Sequence, residues 1–328
     1  MKTPIPARLN VALVGAYVAS ALGLLVLASR SWPPSHPGGT VPFALAVAGF
    51  AILFNTGFGL VHEAEHFALH PSRTVNEGLG WLLGALFPGS FSLLRSAHLV
   101  HHGSNRNDRE LIEYVKPRES RTLKTLHYYL CLLGVFWVGT PLLSLALCVV
   151  PGRYFGPRGK EQASGSGAGF LAFLEDLAPR RVRIEVAATV VFWGLAAWSL
   201  ELSLVPTLVS YSAAGCFWSS QQFIYHVGTP RHLVEGTRNL DMPQPFAWLY
   251  LHYNHHLTHH RHPHVPWIWL PTLTEEAPTQ PYFRHWLSLF VTPPMPIDLA
   301  WPREFQARGP LPPSPTRPAG ESVISRAS

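Results

Sequence analysis

Two stretches of this chain carry no charged side chain, residues 11–29 over 19 positions and residues 41–61 over 21. Each is long enough to cross a hydrocarbon core of roughly 30 Å as an α-helix, a structure that satisfies its own backbone hydrogen bonds where no water is present. The first is a poor secretory signal, because its apolar part is too long and no small-residue cleavage site follows. The turn at residues 31–40 is rich in Pro and Gly, so the two runs read as a helical hairpin. Lys2 and Arg8 hold its N-terminus in the cytoplasm, and residue 62 onward returns to that side. Residues 186–204 and 205–226 read as a second hairpin, with Arg180, Arg181 and Arg183 before it and Glu201 and Pro206 near its outer tip. Residues 126–150 are also long enough to span, but basic residues flank both ends and Thr140-Pro141 interrupts them. They read as a re-entrant or interfacial helix pair. The expected fold is an all-α integral membrane domain over residues 1–302, with two transmembrane hairpins and a histidine-rich cytoplasmic cap. Residues 151–169 are Gly- and Ser-rich and read as a loop. Residues 303–328 read as an irregular tail, since nine prolines fall between positions 293 and 318.

Composition agrees with a membrane setting. Charged residues are 13% of the 328, against about 25% in soluble domains. The net charge of +6 does not signal nucleic acid, because the arginines sit in loops beside apolar runs and form no stripe. The three cysteines, Cys131, Cys148 and Cys216, all lie in apolar stretches without a CxxC, which argues against a disulfide framework or a thiolate metal site.

Histidine is the anomaly. Of 18, seven fall between His252 and His264. Three groups stand out: His62-Glu63-Ala64-Glu65-His66, then Arg95-Ser96-Ala97-His98-Leu99-Val100-His101-His102, then His256-Leu257-Thr258-His259-His260. On a helix, positions i, i+3 and i+4 share a face, so each group presents its imidazoles toward one point. Eight ligands exceed what one transition metal accepts, and two ions are implied. Imidazole suits iron, zinc, copper and nickel alike, so the ligand type does not choose the metal. A lone HxxxH beside a membrane helix is usually polar decoration, but so many buried imidazoles need a metal or charge partner. His70, His252, His255, His262 and His264 read as supporting or interfacial groups. His36-Pro37-Gly38-Gly39 matches a haem-binding tetrad, yet it lies in the short turn between two spans and reads as a plain Pro-Gly turn.

These motifs resemble those of the membrane fatty acid desaturase and hydroxylase superfamily, from about residue 53 to 273. His62 to His66 looks like its HxxxH box and Arg95 to His102 like its RxxHxxHH box. Asn254-His255-His256-Leu257-Thr258-His259-His260, followed by Pro263 and Pro266-Trp267, looks like its NxHxxHHxxPxxPW segment. One departure is Glu63, where many members carry Asp; it bears on subfamily, not chemistry. The resemblance implies two iron ions held by His62, His66, His98, His101, His102, His256, His259 and His260. Some members carry a further histidine about where His226 lies, at the end of the fourth predicted span and 30 residues before His256. Gln222 is four residues earlier and would share its helical face. His226 is therefore expected as a ninth ligand, with Gln222 and Asn254 as supporting groups behind the ligands.

Breaking an unactivated C–H bond needs an oxidant that iron and O2 can supply. No flavin, haem or cluster motif is visible, so electrons are expected from an external donor such as a ferredoxin. Desaturation of a fatty acyl chain is the first reading of the overall box pattern. Hydroxylation or ketolation of a carotenoid or alkane is the second, because the stretch from His256 to Leu270 also resembles carotenoid ketolases. A different class is a membrane zinc protease, since positions 62–66 satisfy HExxH with Glu63 as base. That reading leaves the other two groups idle. A non-enzymatic metal carrier would need polar residues within the spans, which have almost none.

Overall fold

The computed structural model describes residues 3–33, 38–107, 110–116, 119–155, 177–291 and 295–296. His36 and Pro37 of the tetrad, most of the 151–169 loop and the 303–328 tail lie outside them. The regular structure of the described residues is helical apart from one two-residue parallel pairing of β1 (Tyr114–Val115) with β2 (Met295–Pro296) and an isolated bridge, Asp241 to Pro281. Among the described residues, four helical segments are by length and composition apolar enough to cross a membrane: Ala7–Arg30, Thr40–Glu65, Pro179–Leu200 and the kinked Arg121–Val149.

The first two are α1 (Ala7–Arg30) and α2 (Thr40–Glu65), and they pack along one another. The inner faces bury Val14, Tyr17, Ala21, Leu25, Phe50 and Phe54, while Val41, Leu45 and Ile52 stay exposed. Apolar side chains on that outer side suit lipid, where helix association rests on packing rather than on escape from water. Two short helices follow, α3 (Arg73–Leu86) and α4 (Phe91–Ser104). The Ser90 hydroxyl starts α4 by accepting from the Leu93 amide at 3.3 Å. Glu77 of α3 accepts from Arg95 of α4 at 2.6 Å and from Arg181, so three elements meet on one carboxylate.

Residues 126–150 form two helices, α5 (Arg121–Leu130) and α6 (Phe136–Val149), joined by a π-turn at Cys131–Val135. The break falls at Leu133-Gly134, not at Thr140-Pro141. Gly134 has φ +109°, a conformation that side chains with a Cβ rarely adopt. Pro141 sits inside α6 and costs one hydrogen bond, to the carbonyl of Trp137.

Two long helices follow. These are α7 (Pro179–Leu200), which opens on a proline at its first position, and α8 (Leu204–Gln222). The reversal between them uses Glu201 in a left-handed conformation. α8 falls outside the four apolar spans because its polar residues make it less apolar; of these, Ser210, Ser219, Ser220 and Gln221 are buried against protein. It also ends four residues before His226, shorter than the 205–226 run suggests. Its Tyr211 hydroxyl donates to the Leu86 carbonyl at 2.7 Å. Beyond it come short helices α9 (Gln244–Leu249), α10 (His256–Arg261), α11 (Leu270–Leu273) and α12 (Tyr282–Val291). The C-terminal end of α2, α4, the 223–237 loop and α10 converge at one end of the bundle.

Candidate metal centre

Nine histidines gather there in two adjoining sets. His62, His66, His98, His102 and His259 form one; His101, His226, His256 and His260 form the other. In each set one ligand nitrogen per residue lies within 4.8 Å of all the others. The five-histidine set is threaded by Nε2–Nε2 approaches: His62 to His259 at 3.0 Å, His259 to His102 at 3.0 Å, His102 to His98 at 3.0 Å and His98 to His66 at 2.7 Å. In the four-histidine set His226 Nε2 lies 3.1 Å from His256 Nε2.

Hydrogen bonding alone cannot satisfy this chain. A neutral imidazole nitrogen carries either one proton or one lone pair, so a nitrogen in two such contacts cannot donate to both. A cation that accepts every lone pair satisfies all of them. Two imidazole nitrogens about 2.1 Å from one ion and at right angles to each other lie about 3.0 Å apart, which is the spacing seen. His260 Nε2 is buried with no hydrogen-bond partner, a further lone pair without a use inside the protein. The donor set therefore fits two transition-metal ions.

Helix geometry decides which imidazole goes where. Successive residues on an α-helix turn by about 100°, so i and i+4 are about 40° apart whereas i+3 and i+4 are about 100° apart. The i, i+4 pairs stay together: His62 with His66, His98 with His102, His256 with His260. The i+3 members cross over, His101 to the four-histidine set and His259 to the five-histidine set. The expectation that each box serves one point is thus corrected. Boxes two and three each feed both sets, and so tie the two centres together.

The far edges of the rings are held as well. His226 Nδ1 lies 3.0 Å from the Gly236 carbonyl, and His101 Nδ1 lies 2.9 Å from Glu110 Oε2. A proton held on Nδ1 by such a partner leaves the Nε2 lone pair free and raises its basicity. Glu63 lies on the Nδ1 side of His62 at 3.9 Å and accepts the Trp267 amide at 3.1 Å, so it stands behind the ring. That is not the place for the base of an HExxH protease. Burial, and then the neighbouring imidazoles, hold His98, His102, His259 and His260 well below the ordinary histidine value. The rings are neutral, as ligands must be.

The supporting residues fall out differently. Asn254 is buried, donates to the Leu240 carbonyl at 2.9 Å, and leaves its Oδ1 without a partner. Gln222 does not share a helical face with His226, because α8 stops at Gln222. Its amide donates to the Trp218 carbonyl at 3.3 Å, and it lines a small cavity with Asn55, Phe58 and Tyr225. His70, His252, His255, His262 and His264 all lie outside both sets. His255 bonds Thr274 at 2.7 Å and His252 stacks on Trp267 at 5.7 Å. Sequence reasoning missed Glu110 and the Gly236 carbonyl. The first is one carboxylate in an acidic and basic run, and the second is main chain, so neither carries a residue-type signal. It also missed Tyr253, whose ring lies 5.0 Å from that of His62 and 4.7 Å from that of His256.

No curated protein matches the chain. A family model described as fatty acid desaturase matches residues 38–291, a segment that contains all nine histidines.

Proposed function

The chain belongs to the fatty acid desaturase family, and on that footing we propose that it is a membrane di-iron oxidoreductase that desaturates a fatty acyl chain with O2. The observation that supports this most is the pairing of five and four converging imidazoles in adjoining sets. The nine histidines would hold two irons, which supply the oxidising power that O2 lends to attack on an unactivated C–H bond. The protein's own residues do the rest. Imidazole lone pairs are pre-aimed by Gly236 and Glu110. Phe58 lies tilted 6.3 Å from the His62 ring, and Trp218 packs edge-on against Phe58 and Phe87 behind it, an apolar cluster that keeps bulk water from that side. Asn55, Gln221, Gln222 and four tyrosines line the cavity next to the His62 and His256 rings, where the substrate's reacting segment would approach.

Electrons come in this reading from an external donor of the ferredoxin kind, delivered on the cytoplasmic side. The test is twofold. Purified protein should hold two irons per chain, whereas one zinc would point to a different enzyme. Cells expressing the gene should gain a new double bond in their acyl lipids. New oxygenated carotenoids or alkanes with unchanged acyl chains would replace desaturation by oxygenation at the same centre.

A further inference from the structure

His226 stands apart from the other ligand candidates, because no helix carries it. It lies in the loop after α8, where residues 223–228 turn irregularly. A ligand on such a loop needs support from elsewhere in the fold, and the structure supplies it from one direction. Asn105 and Arg106, immediately after α4, reach into this loop. Asn105 is fully buried and donates from Nδ2 to the carbonyls of Leu233 at 2.9 Å and Gly236 at 3.3 Å. Arg106 is 1% exposed; its guanidinium donates to Glu113 at 2.7 Å and to the Thr229 carbonyl at 2.9 Å. Glu113, 3% exposed, also accepts the Gly228 amide at 3.1 Å.

Every tie lands on the segment that fixes His226. Thr229 Oγ1 donates to the His226 carbonyl at 2.6 Å, and the Gly236 carbonyl holds its Nδ1. The fit is close: a Cβ on Gly236 would collide with Arg106 Cγ and with the His232 carbonyl oxygen. Arg106 itself has φ +62°, which a non-glycine residue keeps only where its surroundings over-determine it. A buried ion pair, a strained backbone and a glycine with no room for a side chain therefore meet behind one histidine.

We propose that Arg106 and Glu113 are a positioning pair that aims His226 at the four-histidine set and so sets how tightly that set holds its ion. The proposal rests on the two-metal reading above. Neither residue touches a ligand nitrogen. Glu113 and Arg106 cancel each other's charge, so their effect is mechanical, transmitted through Gly228, Thr229 and Gly236. None of the pair's hydrogen bonds reaches a residue of the five-histidine set, so the effect of its loss is expected on the four-histidine set.

The experiment uses the full chain, purified in detergent and loaded with iron, in a chelator titration. Removing one partner alone would strand a buried charge and unfold the protein, so the variant is the double Arg106→Met, Glu113→Leu, which removes both charges and keeps the bulk. Circular dichroism and gel filtration report the fold. In the wild type both irons are expected to resist the chelator. In the folded double variant one iron per chain is expected to leave at about 10–100-fold lower chelator, the usual effect of losing support behind a metal ligand, with the other unmoved. Both irons held as in the wild type, or both loosened equally, would overturn the proposal. If the double variant does not fold, Arg106→Lys decides by the same readout, since a single ammonium keeps the charge but lacks the planar fork that spans Glu113 and Thr229. A wild type that never binds two irons would instead sink the two-metal reading, and this proposal with it.

Discussion

An imidazole buried among imidazoles is useful only while it is neutral. In the native protein burial and neighbouring groups push His66 down to about 3 and His102 down to about 2, against an ordinary value near 6.5 in the unfolded chain. Below about pH 6.5 the unfolded chain therefore takes up protons that the native site refuses. Stability conferred by these sites is complete above that pH and is lost as pH falls through it. Once the site opens, protons also compete with metal for the same lone pairs. Iron retained after dialysis is expected to be constant above pH 7 and to fall steeply toward pH 4; retention of both irons at pH 4 would contradict it. The residue scale also separates His226 from Gln222. His226→Ala should lower iron content and turnover together, whereas Gln222→Ala should change turnover and leave iron content near that of the wild type. Loss of iron from Gln222→Ala would show that its amide does act behind a ligand.

Among the elements, the π-turn at Cys131–Val135 carries the sharpest constraint. Gly134 takes a left-handed conformation there, and a Cβ at that position would lie 3.2 Å from Cys216 Sγ and 3.4 Å from its backbone nitrogen. The Cys216 thiol donates to the Leu133 carbonyl at 3.0 Å, which satisfies a group freed by the break. Gly134→Ala combines strain with crowding, and a loss of roughly 1–3 kcal/mol is expected. A fall in the unfolding temperature in detergent measures it; an unchanged transition would mean that the α5–α6 junction relaxes freely. The three histidine groups were legible in sequence as residues on one helical face, because i, i+3 and i+4 neighbour each other on any helix. Their division between two sets was not, since the 100° between i+3 and i+4 matters only once a second helix stands opposite.

At the scale of the molecule, the four apolar helices and the family make this a membrane protein. We propose that the histidine cluster faces the cytoplasm, because basic residues border it. In a background without Cys131, Cys148 and Cys216, single cysteines near residues 104 and 262 should react with a membrane-impermeant reagent only when the cytoplasmic face is open. Reaction in intact cells would reverse the topology.

Apolar run lengths and the three histidine groups sufficed, by themselves, to point to a helical membrane protein with clustered histidines. Both are local signals: a span needs only about 20 apolar residues, and a ligand pair needs only the period of its own helix. His226 was expected as a ligand from the resemblance and from its place at the end of a predicted span, but what would let it serve came from the tertiary structure. Its aim depends on Gly236, Arg106 and Glu113, which lie from 10 to 120 positions away in sequence. The same holds for the split of His101 and His259 between the two sets, and for the polar end of α8, which looks unfit for lipid until Trp137 of α6 and Tyr282 and Trp286 of α12 are seen bonded to Ser219, Gln221 and Ser220. Contacts between distant segments carry no periodicity, so only the folded chain decides them.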